Sequence, residues 1–298
     1  MTIGIPQALG YYRYGTLWKT FLEELDIPYV VSGTSNQALL ADGIKHTVDE
    51  SCLPLKLYMG HVASLLRRCD KVLVPRLEQL GRKDEFCVRF WGLYDTVRAT
   101  FEGIEPLTYT QDSPGSQWRA FLKMGRVLGK GALASARAYR IAENRRREED
   151  FLRFSKNRTY LRARKPKILV ATNPYIAHDP FLGGAIAKQI CDLGGVPVLT
   201  DGWDKTACQA AASEHAPGLY WATSRERLGA VYLARDQVDG IILLTAFPCG
   251  ADCLVNELIL RSVKDCPIIQ IILDEHQSKE GLATRLESFL DIIVESTI

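Results

Sequence analysis

The sequence predicts an α/β protein of two doubly wound, parallel-sheet lobes joined by a long helical segment. Three observations carry this. Short apolar runs alternate with amphipathic stretches through the first third, the pattern of parallel strands linked by crossover helices. The same alternation restarts at Lys167. Between the two, residues 117–164 are basic, rich in Ala, Arg and Leu, and hold no β-like run. The expected organisation is an N-terminal lobe over 1–112, a basic helical bridge over 113–165 and a C-terminal lobe over 166–298.

The elements follow in order. Residues 2–6 read as a strand, and Leu17, Phe21 and Leu25 give residues 14–25 helical spacing. A second strand covers 28–32, helices cover 37–48 and 54–68, and a buried strand covers 71–75. Residues 89–101 read as a helix and 107–110 as a last short strand. In the bridge, Gly125, Gly129 and Gly131 mark a kink or a break. The C-terminal lobe has strands over 168–172, 196–200, 240–247 and 267–274, with helices over 180–193, 224–234, 252–263 and 281–294. The lobes look like variations of one plan, although no repeat is visible residue by residue. Open sheets of this kind bind ligands outside the carboxyl ends of their strands, which directs attention to the loops there.

At 298 residues, with 47% hydrophobic and 24% charged residues, the chain has the profile of a globular protein. Its first residues lack the basic and apolar regions of a secretory signal, and its apolar runs are strand-length. A cytoplasmic location is expected, with no membrane span. The eight cysteines then read as thiols, ligands or nucleophiles rather than a disulfide framework. The net charge of +2 hides an asymmetry: residues 119–167 carry 16 Lys/Arg against 4 Asp/Glu, which leaves the remainder near −10. Arg145, Arg146 and Arg147 are the densest point. This is either a solvated helical face or a docking surface for an acidic partner or a phosphorylated ligand. No nucleic-acid recognition motif accompanies the charge.

Three cysteines stand at loop-to-helix junctions. Cys249 follows the apolar run 241–247 and Pro248, and precedes Gly250 and a helix. A thiol there faces a helix N-terminus, whose free amides favour thiolate. Cys52, in Glu50-Ser51-Cys52-Leu53-Pro54, and Cys87, in Phe86-Cys87-Val88, sit in similar places. Cys253, four residues past Cys249, is a candidate fourth ligand. Cys69, Cys191, Cys208 and Cys266 read as small buried hydrophobes. On residues alone, iron–sulfur and zinc both stay open. Three thiolates without a partner histidine lean toward iron–sulfur, whereas zinc needs a fourth ligand from Cys253 or His61. His61 reads more simply as a helix-face residue satisfied locally. Tyr12 and Arg13, beside Tyr11 after the first strand, and Glu275 and His276, after the last, are the candidate catalytic groups, with His276 a proton donor near neutral pH. Asn173, Tyr175 and His178 follow the first strand of the second lobe at a ligand-binding position. Gly183-Gly184, near the start of a helix, is a candidate for approaching a phosphate without being a dinucleotide fingerprint, and Arg76, after a strand, is a candidate for holding an anion.

Several of these motifs together resemble the 2-hydroxyacyl-CoA dehydratase subunits and their relatives, which include the double-cubane cluster proteins and the domain associated with dehydratase activases. The carriers are Ile3-Gly4-Ile5-Pro6 with Tyr11-Tyr12-Arg13-Tyr14; Glu50-Ser51-Cys52-Leu53-Pro54-Leu55-Lys56 running to Gly60-His61; Phe86-Cys87; Phe247-Pro248-Cys249-Gly250-Ala251-Asp252; and Asp274-Glu275-His276 with Gly281-Leu282 and Thr284-Arg285-Leu286-Glu287. The resemblance spans nearly the whole chain and is closest to the activase-associated branch. It implies two Rossmann-like lobes flanking a [4Fe-4S] cluster on Cys52, Cys87 and Cys249, with a double-cubane variant open. It also implies an ATP-dependent activase as partner, charging a reductase or dehydratase component with one electron. An acyl-CoA is then the candidate substrate and a homodimer the candidate assembly. A non-catalytic electron carrier, cluster carrier or activase-binding partner is the alternative. The chain is shorter than a dehydratase subunit and shows no clear acyl-CoA cradle, so the cluster carries over more directly than the reaction.

Overall fold

A computed structural model describes residues 1–81, 84–113, 115–276 and 279–295. The chain divides into two units, Met1–Glu149 with Tyr220–Ala222, and Asp150–Leu219 with Thr223–Ile298.

The first unit opens with β1 (Ile3–Ile5), α1 (Tyr11–Glu24), β2 (Tyr29–Val31), α2 (Gln37–Lys45), α3 (Leu53–Leu65) and β3 (Lys71–Val72). Strands β2, β1 and β3 pair in parallel, in that order. The chain continues as β4 (Arg76–Leu77), the antiparallel pair β5 (Gln79–Gly81) and β6 (Asp84–Glu85), α4 (Val88–Trp91), α5 (Leu93–Thr100) and β7 (Thr110–Gln111). Residues from Leu73 to Glu78 run alongside residues 107–111. Leu73 bridges Leu107, β4 pairs with β7 in parallel, and the Val74, Arg76 and Glu78 N–H groups donate to the Leu107, Tyr109 and Gln111 carbonyls. With that ladder counted, the sheet has the order second, first, third, fourth strand. Helix α1 buries Leu17, Trp18, Phe21 and Leu22 on one face, as an amphipathic crossover helix should.

The basic stretch forms α6 (Gln117–Val127) and α7 (Ala132–Leu161), two helices rather than one. Gly129 takes φ +75° and closes α6 in the left-handed conformation that glycine adopts without a Cβ clash. The boundary between the two units falls inside α7.

In the second unit, β8 (Lys167–Ala171) is followed by α8 (Pro174–Ala177), α9 (Gly183–Asp192), β9 (Val196–Leu199), a 3-10 turn over Thr200–Gly202, α10 (Lys205–His215), α11 (Ala222–Ala234), β10 (Gly240–Ala246), α12 (Gly250–Ser262), β11 (Ile268–Leu273) and α13 (Lys279–Glu295). All four strands are parallel in the order β9-β8-β10-β11. Every residue of β10 is buried, which is why it reads as an unbroken apolar run rather than an alternating one. This sheet has the same order as the first: second, first, third, fourth. Each lobe also packs the two helices after its second strand backbone to backbone. A Cβ on Gly60 of α3 would land on the Leu39 carbonyl of α2, and one on Gly229 of α11 would land on the Cys208 carbonyl of α10. The shared plan is therefore present in topology.

Three expectations need amendment. The helix expected over 89–101 is two, α4 and α5, parted at Gly92, whose N–H closes α4 onto the Val88 carbonyl. The β5–β6 hairpin was not expected. Neither was α10, which Asp204 caps through its side chain on the Ala207 N–H at 2.8 Å.

Candidate functional site

The three junction cysteines occupy one kind of position. Cys52 is the N-cap of α3, Cys87 of α4 and Cys249 of α12. All three are half-buried, and all eight cysteines are thiols rather than disulfides. In the repeated strand plan Cys87 and Cys249 correspond: each caps the helix that follows its lobe's third strand. Cys52 caps the second of the two helices after the second strand, where the other lobe starts α11 without a cysteine. Cys52 and Cys87 belong to the first unit and Cys249 to the second.

The remaining cysteines differ. Burial pushes the Cys208 thiol up to about 12 and the Cys266 thiol to about 11, and it raises Cys69 as well. Such groups stay protonated and act as small apolar side chains. Cys191 is exposed on α9, and Cys253 is exposed on α12, its N–H donating to the Cys249 carbonyl at 3.0 Å. Among the described residues there is no group of three or more His, Cys, Asp or Glu side chains that could hold a metal ion. What Cys52, Cys87 and Cys249 share is their position: each is a half-buried thiol that starts a helix.

Behind Cys249 lies a buried polar network at the point where the strand order of the second sheet reverses, between β8 and β10. Asn173 stands two residues past β8 at the N-cap of α8, and its Nδ2 donates to both Asp252 carboxylate oxygens at 3.0 Å. Asp252 lies in the first turn of α12. Arg227, from α11, places Nη1 3.4 Å from Asp252 Oδ1 and donates through Nη2 to the Asp252 carbonyl at 3.0 Å. Arg227 and Asp252 are each 1% exposed. Asn256, one turn further along the same face, is equally buried. The network pins the start of α12, and with it Cys249, against β8 and α11.

Beside it, His178 Nε2 lies 2.6 Å from Asp201 Oδ2, and Arg153 Nη1 donates to the same oxygen at 3.0 Å. Burial pushes the Asp201 carboxyl up, but His178, Arg153 and Lys205 outweigh it and hold the group down at about 2. Asp201 lines a cavity of about 360 Å³ together with Asp150, Phe154, Trp203 and Lys205.

The other sequence candidates fall as follows. His276 is exposed, and its Nε2 lies 3.6 Å from Glu275 Oε1 in the loop after β11. Tyr12 belongs to the core, with its ring edge-on to Tyr11 at 5.6 Å. The Arg13 guanidinium lies 5.8 Å from the Tyr14 ring centroid. His61 is fully buried, with Nδ1 2.8 Å from Ser32 Oγ and Nε2 2.9 Å from Ser35 Oγ, and burial lowers it to about 4. Both of its ring nitrogens are committed. Arg76 pairs with Asp95 at 2.7 Å and stacks on Tyr94, so it is engaged rather than waiting for an anion. A Cβ on Gly183 would meet the Ile176 carbonyl oxygen at 2.6 Å, so this glycine serves the packing of α9 on α8 rather than a phosphate. Arg146 and Arg147 both pair with Glu143, and Arg145 with Glu23. The Asn173–Asp252–Arg227 network went unforeseen beyond Asn173. Its signal was the polar pair Asp252 and Asn256 at helical spacing on an otherwise apolar face.

Two α/β lobes of one strand order, with thiols starting their helices, define the class. The chain belongs to the family described as the CoA enzyme activase uncharacterised domain (DUF2229), whose model matches residues 2–202. It is thus activase-related. No curated protein matches it. Among solved structures it is similar to the SBP FpvC from Pseudomonas aeruginosa in complex with Mn2+, at 13% identity over 99% of each chain with a TM-score of 0.27. A second structure of the same protein, in complex with Ni2+, shares 12% identity over 99% of this chain and 97% of that one, with a TM-score of 0.28. No helix among the described residues is long and apolar enough to cross a membrane.

Proposed function

We propose that this activase-related chain is an iron–sulfur protein like the 2-hydroxyacyl-CoA dehydratase subunits, a reductase or dehydratase component charged by an ATP-dependent activase. Cys52, Cys87 and Cys249 hold its [4Fe-4S] cluster. The observation that carries the reading is that, of eight cysteines, these three are N-caps. When bound, such a cluster supplies a low-potential electron and, where an iron is left open, a Lewis acid. The protein supplies three thiolates, and the Asn173–Asp252–Arg227 network fixes the helix that carries one of them. An acyl-CoA is the proposed substrate class.

One observation favours a second reading. Cys253 is exposed one helical turn from Cys249, and as a fourth ligand it would close the iron site and make the chain an electron or cluster carrier. Anaerobic purification of the whole chain, with iron, sulfide and EPR analysis, tests both. About four irons per chain, by the stoichiometry of this cluster type, is the expected result. Colourless protein with zinc or no metal after reconstitution overturns the proposal. Cluster loss in Cys253→Ala selects the carrier, and an intact cluster selects the open site.

A further inference from the structure

The basic stretch over residues 119–167 divides into two kinds of cation. The run at Arg145–Arg147 is spent on Glu143 and Glu23. Arg119 and Lys123, one turn apart on α6, make no ion pair among the described residues. Both line a cavity of about 410 Å³ beyond β7 in the first unit. The cavity runs along the sheet's fourth strand from Thr108 to Thr110 and past its carboxyl end to Asp112 and Ser113.

Its lining is sorted by chemistry. Thr108, Thr110, Ser113 and Ser116 line it with hydroxyls, those of Ser113 and Ser116 already donating to Asp112 and to the Ser113 carbonyl. Arg119 and Lys123 supply the charge, and Ala120, Met124 and Val127 form an apolar strip along the same helix. One carboxylate, Asp112, is present, and it accepts from Ser113 Oγ at 3.0 Å. The net charge of the lining is positive. The site is anchored: the Gln117 amide donates to Gln111 Oε1 at 3.1 Å and the Tyr139 hydroxyl to Gln117 Oε1 at 3.1 Å, tying α6 to the strand end and to α7. A cavity of this size suits a small molecule rather than a polymer. Paired cations with hydroxyls in a concave site suit the dense charge and many acceptor oxygens of a phosphate, and the apolar strip suits an organic remainder.

We infer that this cavity binds a small organic phosphate, with Arg119 and Lys123 holding the phosphoryl group and Met124 and Val127 contacting its apolar part. No cysteine lines the cavity, and testing it needs no cluster.

Phenyl phosphate is the probe, titrated calorimetrically into the full chain, with phenol as its uncharged counterpart. Saturable binding of phenyl phosphate, with phenol at least about tenfold weaker, is expected from the loss of charge-assisted hydrogen bonds. Arg119→Ala and Lys123→Ala should each weaken it about tenfold on the same grounds. Both residues are exposed, so the fold should survive, which circular dichroism checks. Arg126→Ala, an exposed cation of the same helix outside the lining, should leave the affinity unchanged. No saturable binding at millimolar probe, or equal losses in all three variants, overturns the inference. So does a result in which polyglutamate or single-stranded DNA binds through Arg119 and Lys123 while phenyl phosphate does not.

Discussion

Replacing Asp252 with Asn tests whether the buried network organises the C-terminal lobe. The substitution keeps the side-chain shape but removes the negative charge that faces Arg227 at 3.4 Å, in a place where both residues are 1% exposed. The guanidinium is then buried without a counter-charge, and one Asn173 bond loses its ionic acceptor. Removing one member of a buried pair typically costs about 3–5 kcal/mol, because the other charge stays desolvated. A domain's whole stability is about 5–15 kcal/mol, so Asp252→Asn should lower the urea midpoint of the C-terminal unit sharply. The double variant Asp252→Asn/Arg227→Met removes both charges, and it should recover most of the loss, since an apolar pair of similar volume is often neutral or better at such sites. Midpoints are read by circular dichroism with the slope held equal between variants. A cost under about 1 kcal/mol, the scale of an exposed pair, or a double variant no better than the single one, would refute the idea that the pair depends on burial.

Other outcomes follow from the same geometry. His61 is lowered to about 4 by burial from an ordinary 6.5, so the unfolded chain takes up its proton first; the stability it protects is complete above pH 6.5 and is lost as pH falls toward 4, by about 3 kcal/mol. Urea midpoints of wild type and His61→Gln at pH 7.5 and 4.5 should show that slope only in the wild type. Asp201, held at about 2 by His178, Arg153 and Lys205 against its burial, contributes stability that is complete above its ordinary value of 3.8 and is lost progressively as pH falls from there to about 2; an Asp201→Asn variant whose acid sensitivity below pH 4 matches the wild type would contradict this. Alanine at Cys52, Cys87 or Cys249 should each abolish the iron content of anaerobic protein, and alanine at Cys208 or Cys191 should leave it intact. Reversing the charge of Arg145 and Arg147 should slow association with the cognate activase in stopped flow and weaken its salt dependence; an unchanged rate assigns these residues to their Glu23 and Glu143 pairs alone.

Strands and long helices were legible because burial imposes a period. The unbroken run at 240–246 and the spacing of Leu17, Phe21 and Leu25 could hardly read otherwise. Gly129 marks the α6–α7 break because a left-handed residue ends a helix, whereas Gly125 lies inside α6, where a Cβ would meet Ser135 of α7. Short elements carried no such period. The two-residue strands β4 and β7 are held by pairing with each other from remote parts of the sequence, which no local window contains, and β6 is too short to show a period although its partner β5 is close by. Helix α10 has its capping aspartate in plain view, but its Ala-rich body lacks a marked apolar stripe. The polar candidates were hardest. Asn173 lies just past β8 and Arg76 opens β4, yet one belongs to a buried network and the other to an exposed pair with Asp95. Partners remote in sequence decide between such outcomes.

The repeat shows the same limit from the other side. Residue by residue the lobes share nothing obvious, because each sheet packs its own helices and each core is filled differently. Strand order survives, since a second-first-third-fourth arrangement is a property of chain path rather than of side chains. Cys87 and Cys249 become comparable only on that path. One follows a hairpin and caps a four-residue helix, and the other follows a seven-residue buried strand and caps a long one. Their local sequences, Phe86-Cys87-Val88 and Pro248-Cys249-Gly250, share no motif. What they share is a place at the carboxyl side of a third strand, where a side chain leaves the sheet and a helix begins. Chemistry can keep such a place while the residues around it change, provided the cysteine stays. Cys52 lacks a counterpart at the start of α11, so any site built from the three thiols draws two from one lobe and one from the other.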